Sequence, residues 1–224
     1  MVSFSNSSNK KNKNNPLEFF KSFFKTQISK KKLLKAQAHL PNLGRIELGN
    51  KICNCMVCQG ITLTPDYILI TAYCGINKYK SQLKLHKIHL INQINLKLVD
   101  DEPVHNSCIF VYSRKGIRPR HIATLGLSDI NHVGGISYDG ESIWIAKSGN
   151  KGLSQISISN LESSIEKAIN SKNNFTKISY DNELLDCGFR AGFVTNYGGL
   201  VWVGFYSASV ADDFPYGILK GFRV

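Results

Sequence analysis

The thiols are the most reactive side chains in this chain. Cys53-Asn54-Cys55-Met56-Val57-Cys58 sets three of them within one short run, and Cys74 follows on what reads as the neighbouring strand. Four soft thiolates at such spacing can wrap one tetrahedral zinc ion. Structural zinc sites, however, are usually built from paired C-x2-C knuckles, and here Cys55 to Cys58 alone has that spacing. Buried free cysteine behaves as a small hydrophobe. The expectation is therefore inert, reduced thiols and no bound metal, with Cys108 and Cys187 dispersed elsewhere in the chain.

A second set of polar residues stands just before three glycines that each open a strand: Gln59 before Gly60, His132 before Gly135 and Arg190 before Gly192. An amide, an imidazole and a forked guanidinium together suit a carboxylate or another anion. The same residues can equally serve buried backbone groups in a narrow channel, as most inward polar residues do. They are the candidate ligand-binding residues. A catalytic version would use His132 as general base and Arg190 to stabilise negative charge.

Other chemistries lack their residues. The acids Asp100, Asp101 and Glu102 and the pair Asp212 and Asp213 have no interleaved oxygen ligands of a calcium loop, so they read as solvated turns. Gly134-Gly135 and Gly198-Gly199 are followed by no helix and are not phosphate loops. No quinone, nucleotide or other cofactor is expected.

The elements that must position these residues recur. Gly60 to Ile70, Gly135 to Ile145 and Gly192 to Val203 each read as two apolar β-runs around a turn, with Pro65-Asp66, Asp139-Gly140 and Gly198-Gly199 supplying the turn chemistry. Recurrence at long spacing marks units that cannot bury their faces alone. Cys108 to Tyr112 and His121 to Leu125 complete a four-stranded unit with the first copy, and Leu153 to Ile158 adds an outer strand to the second. Leu161, Ile165 and Ile169 fall four apart, which predicts a helix with Asn160 just before it as cap. Residues 75–107 read as an extended or inserted hairpin on the rim, and Gly217 to Val224 as a final strand closing the domain against its first.

Glycine-opened units with an aromatic in the second strand resemble blades of NHL-like and quinoprotein-like bacterial β-propellers. The likeness is carried by Val57-Cys58-Gln59-Gly60-Ile61-Thr62 through Tyr73, His132-Val133-Gly134-Gly135-Ile136-Ser137-Tyr138-Asp139 through Trp144, and Phe189-Arg190-Ala191-Gly192-Phe193 through Trp202-Val203-Gly204. It covers residues 43–224 and implies an all-β, propeller-like repeat of four-stranded antiparallel sheets, with ligands taken in a central channel. It is poor for activity, because propellers host unrelated functions. Gly60, Gly135 and Gly192 lie 75 and 57 residues apart, longer than one blade, so the family pattern implies a reduced or truncated member. Ile68-Leu69-Ile70-Thr71-Ala72-Tyr73-Cys74 also resembles the strand bearing the catalytic histidine of trypsin-like proteases. Tyr73 stands where that histidine would be, and tyrosine cannot act as a base there at neutral pH.

The formal charge of +12 is mostly a property of the N-terminus: residues 1–35 hold nine lysines against Glu18 alone, which leaves +4 for the remainder. Residues 1–16 are too polar to offset their ordering entropy and read as a disordered tail. In residues 17–42, Phe19, Phe20, Phe23 and Phe24 share one side of a basic amphipathic helix. Such a helix packs on its own domain, docks on a partner, or lies on an anionic membrane surface through residues 17–35. With no secretory signal and no membrane span in sight, the expected location is cytoplasmic, peripheral to a membrane if that helix binds one. The basic tail attracts phosphates, but no nucleic-acid reading module accompanies it, so nucleic acid is not an expected partner. The leading expectation is a non-catalytic platform for a protein or small-molecule ligand. The rival is a hydrolase or lyase acting on a small anionic or ester substrate.

Overall fold

Alternating β-branched and aromatic residues broken by tight turns favour hairpins, and hairpins dominate the computed structural model. It describes residues 40–48, 51–75, 106–128, 130, 132–148, 152–205 and 217–224. The expected tail and amphipathic helix, and most of the expected rim hairpin, lie outside those residues. The last residues of the segment expected to be helical, Leu40 to Asn42, are irregular and run into a turn.

A short hairpin of β1 (Ile46–Leu48) and β2 (Lys51–Cys53) comes first. The first large sheet runs up and down through β3 (Met56–Leu63), β4 (Tyr67–Cys74), β5 (Cys108–Ser113) and β6 (Arg120–Gly126), all antiparallel. The second contains β7 (Val133–Tyr138), β8 (Ser142–Lys147) and β9 (Gly152–Ser157). Helix α1 (Ile158–Ile169) follows directly. Next, β10 (Phe175–Lys177) joins the far edge of the first sheet as a parallel strand, making it five-stranded, and β11 (Asn182–Asp186) completes the second as its fourth strand. The third sheet is β12 (Ala191–Tyr197), β13 (Leu200–Phe205) and β14 (Leu219–Phe222).

The β-rich architecture and the three hairpins are as the sequence implies, while uniform four-stranded units are not: the large sheets have five, four and three strands. The last strand also differs from expectation. β14 pairs with β13 rather than with the first strand, because the chain turns back on its own hairpin. The helix is capped by Ser157, whose hydroxyl accepts from the Asn160 amide at 3.3 Å; Asn160 lies inside the first turn. Asp181 braces that end, accepting from the Ser157 amide at 2.6 Å and the Asn160 side chain at 3.3 Å. Burial pushes the Asp181 carboxyl up, but these donors outweigh it and hold it below its ordinary value.

The three repeated hairpins superimpose by register. Each first strand carries a bulge at the same place, between Cys58 and Gly60, Val133 and Gly135, and Ala191 and Phe193. Counting from these bulges and from the turns, Gly60, Gly135 and Phe193 are equivalent, as are Thr62, Ser137 and Thr195, and Leu69, Trp144 and Trp202. The third copy is thus displaced by one residue from the sequence match: Gly192 corresponds to Gly134, and a phenylalanine holds the place of the repeat glycine.

Packing follows the same order. β7 lies between β3 and β12. One core joins Leu69, Ile109 and Val111 of the first sheet to Ile136, Ile143 and Ile145 of the second, with α1 contributing Leu161, Ile165 and Ala168. Another joins Trp144, Ala146 and Leu153 of the second sheet to Val194, Val201 and Val203 of the third. The first and second sheets therefore each turn a leading face to a successor, and the second and third each turn a trailing face to a predecessor. The trailing face of the first sheet, with Ile70, Ala72, Phe110 and Tyr112, is covered by Ile46 and Cys53 of the small hairpin. Burying each large aliphatic side chain contributes roughly 1.5–3 kcal/mol, so these three cores supply most of the cohesion.

Candidate functional site

Where the first strands meet, side chains give way to backbone. A Cβ at Gly60 would lie 3.0 Å from the Gly135 Cα, and one at Gly135 would lie 2.7 Å from the Val194 nitrogen. A Cβ at Gly134 would come within 2.4 Å of the Gly192 oxygen. Absence of side chains lets β3, β7 and β12 approach at backbone distance. Polar groups fasten this seam. The buried Thr71 hydroxyl donates to the Val133 carbonyl at 3.1 Å and accepts from the Gly60 amide at 3.1 Å, and Thr62 accepts from the Tyr138 amide at 3.2 Å.

The three expected ligand residues lie along this seam at two different levels. His132 and Arg190 both stand immediately before the strand residue that opens the bulge, Val133 and Ala191. Gln59 sits inside the bulge of its own strand, further along. The Gln59 side chain donates to the Cys58 carbonyl next door at 2.9 Å. The His132 ring stacks on Tyr73 at 4.3 Å between centroids, and its carbonyl accepts from the Ser148 hydroxyl at 2.7 Å. Arg190 is exposed. Tyr73, which stands where a protease-like strand would carry its histidine, is thus an aromatic partner for His132.

The thiols cluster without an ion-binding arrangement. Cys53, Cys74 and Cys108 are fully buried in one core, Cys55 is half-buried and Cys58 exposed, and none of the five is in a disulfide. Burial, aided by the neighbouring Cys74, pushes the Cys53 thiol up to about 12, and burial raises Cys108 as well. Thiols raised in this way are poor nucleophiles and poor metal ligands. Among the described residues, no group of three or more His, Cys, Asp or Glu side chains could hold a metal ion.

Two further features escaped the sequence reading. Lys147 is buried, with its ammonium 4.0 Å over the Tyr180 ring, a cation–π contact in place of an apolar neighbour. The other is the leading face of the third sheet. Its paired rows are Phe193 with Gly204 and Leu219, Thr195 with Trp202 and Gly221, and Tyr197 with Leu200. The Phe193 ring lies across Gly204 and the Trp202 ring across Gly221, so glycines form the floor on which the aromatics lie flat. In the second sheet the equivalent tryptophan, Trp144, is buried beneath the third sheet; Trp202 remains partly exposed, while Phe193 is 49%, Tyr197 59% and Leu219 43% exposed. The signal available in the sequence was alternation in Phe193, Thr195 and Tyr197, which leaves one face of that hairpin apolar.

Compared with protein-family models and with curated proteins, the chain matches none. Among the described residues no helix is long and apolar enough to cross a membrane.

Proposed function

We propose that this chain is a non-catalytic interaction platform, built as a propeller-like series of sheets, that docks a protein partner on the leading face of its third sheet. One observation carries the reading. The places where the first sheet presents Gly60, Thr62 and the buried Leu69, and the second the buried Gly135, Ser137 and Trp144, to a successor are held in the third by Phe193, Thr195 and Trp202. Of these, Phe193 and Thr195 are exposed and Trp202 partly so, with the exposed Tyr197 beside them. Exposed aromatics gathered on one face are characteristic of interaction sites. The regular bulges and glycine contacts of β3, β7 and β12 support the propeller-like arrangement and its likeness to NHL-like repeats. His132 and Arg190 are on this view residues of the seam and its rim rather than a base and an oxyanion partner.

A photo-crosslinking residue at Thr195, compared with one at the exposed Lys172, tests the reading. The expected result is one recurrent crosslinked protein from Thr195, absent from Lys172, competed by the unlabelled native chain and not by a Phe193→Asp chain. Identical crosslinking patterns at the two positions would remove the platform.

A further inference from the structure

We infer that the partner of the third sheet presents an apolar centre bordered by acidic residues; the inference rests on the platform reading above. The leading face itself carries no charge: its members are Phe193, Thr195, Tyr197, Leu200, Trp202 and Leu219, over Gly204 and Gly221. Such a centre, rich in aromatics and free of charge, is what the desolvated core of a protein interface requires.

The border is different. Arg190 stands just before the start of β12, at the Phe193 end, and Arg223 just past the end of β14, at the Tyr197 end, so the two exposed guanidiniums mark diagonally opposed corners of the sheet. Lys220 turns to the other side, its ammonium 5.0 Å over the Phe189 ring and 3.4 Å from the Cys187 carbonyl. Residues 187–205 and 217–224 contain no aspartate or glutamate to answer these cations; Asp212 and Asp213 of the connection lie outside the described residues.

Corner charges of one sign around an apolar centre select a partner with carboxylates at matching corners, through orientation and association rate more than through final affinity. They also disfavour two other occupants. In a twofold pair of this chain whose axis runs along a diagonal of the face, each corner arginine meets another arginine, with no acid in residues 187–205 and 217–224 to intervene. A fourth sheet stacked as the first three are would need a glycine at the place where Phe193 lies, since Gly60 and Gly135 permit that contact only by lacking a Cβ. The phenylalanine ends the series and leaves an aromatic surface in place of a seam.

The test is selection of a displayed library of random peptides against the intact chain. The expected result is a set of binders with apolar or aromatic centres flanked by Asp or Glu, weakened by salt and weakened about tenfold or more by Phe193→Asp and by Tyr197→Asp. The Arg190→Glu, Arg223→Glu double variant should shift the selected flanks to Lys or Arg. Tyr197→Ser, at an exposed site away from the glycine floor, serves as the variant that keeps the fold, checked by near-ultraviolet dichroism. Binders lost with Tyr197→Ser but without acidic flanks would overturn this inference and leave the platform standing. A concentration-dependent doubling of mass abolished by Tyr197→Ser would assign the face to a second copy and overturn it too. No binder sensitive to these substitutions would remove both readings.

Discussion

Gly135→Ala is the sharpest test of the seam between the sheets. The new methyl would lie 2.7 Å from the Val194 nitrogen and 2.9 Å from the Phe193 Cα, where ordinary contact begins at 3.4 Å. The deficit is about 0.7 Å, and both obstructing atoms are backbone, so no rotamer change relieves it. The third sheet must shift away from the second, opening the core of Trp144, Leu153, Val194, Val201 and Val203. A radial gap of about 0.5–1 Å forfeits roughly a quarter to a half of the dispersion attraction between the atoms it separates, and overpacking typically costs about 1–3 kcal/mol, so the expected destabilisation is about 2–3 kcal/mol. Gly134→Ala, facing the Gly192 oxygen at 2.4 Å, should cost as much or more, and Gly60→Ala, at 3.0 Å, less. Gly217→Ala meets nothing within 4 Å and should stay within about 0.5 kcal/mol of the native chain. Urea denaturation followed by tryptophan fluorescence reads all four, as a shift in midpoint at constant slope. Equal midpoints for Gly135→Ala and Gly217→Ala would refute the argument that β7 and β12 touch through backbone.

Asp139 accepts from the amides of Glu141 and Ser142 and from the Trp144 indole at 2.6 Å, so Asp139→Ala should destabilise the second hairpin by about 1–3 kcal/mol in thermal or chemical unfolding. Burial pushes its carboxyl up, yet these donors outweigh burial and hold it below the ordinary 3.8; the stability it contributes is therefore complete above about pH 3.8 and lost as pH falls through the lower folded value. A native chain whose acid unfolding matches that of Asp139→Ala would contradict this. Burial lowers His121 below 6.5, with a partial opposing contribution from a backbone hydrogen bond at Ala123; its neutral ring stands edge-on to Tyr112 and 3.0 Å from the Thr124 hydroxyl. Its contribution should hold above pH 6.5 and decline as pH falls below it, a slope absent from His121→Gln. A thiol reagent should label Cys58 and then Cys55 in the native chain, and Cys53, Cys74, Cys108 and Cys187 only on unfolding; rapid labelling of Cys53 would show that its core is open.

Local chemistry was legible where one hairpin decides the outcome. Gly198 and Gly199 both take positive φ, 62° and 71°, as a tight turn between twisted strands requires, and their identity announces it. The strands around Arg114-Lys115-Gly116 and the strand at Leu153 were legible as apolar runs, but the latter lies inside the second sheet, with β11 as the outer strand that the sequence did not announce. Long-range choices were not legible. β10 crosses from the end of α1 to lie parallel on β6, an arrangement fixed by α1 packing between its two sheets rather than by its three residues. Asn160 looked like a cap because it precedes the apolar spacing, but Ser157 already offers a hydroxyl one turn earlier and Asp181 arrives from a distant segment to secure it. Of the expected ligand residues, the sequence identified their nearness to the glycines, and not that Gln59 belongs inside a bulge while His132 and Arg190 precede one.

The one-residue displacement in the third copy changes what that copy does. Ala191-Gly192-Phe193 carries the same bulge as Val133-Gly134-Gly135, so the backbone path is preserved while one side chain is exchanged for the missing methyl of its equivalents. In the first two sheets, glycine at that place forms a buried joint. In the third, the phenylalanine cannot be buried by a like neighbour and instead lies over Gly204, beside Trp202 on Gly221. Leaving such aromatics exposed works against solubility, and a pattern broken once, at the end of a series otherwise locally consistent, is where function is expected to depart from folding. The same residue thus ends the repetition of the fold and opens the surface on which the proposed partner would rest.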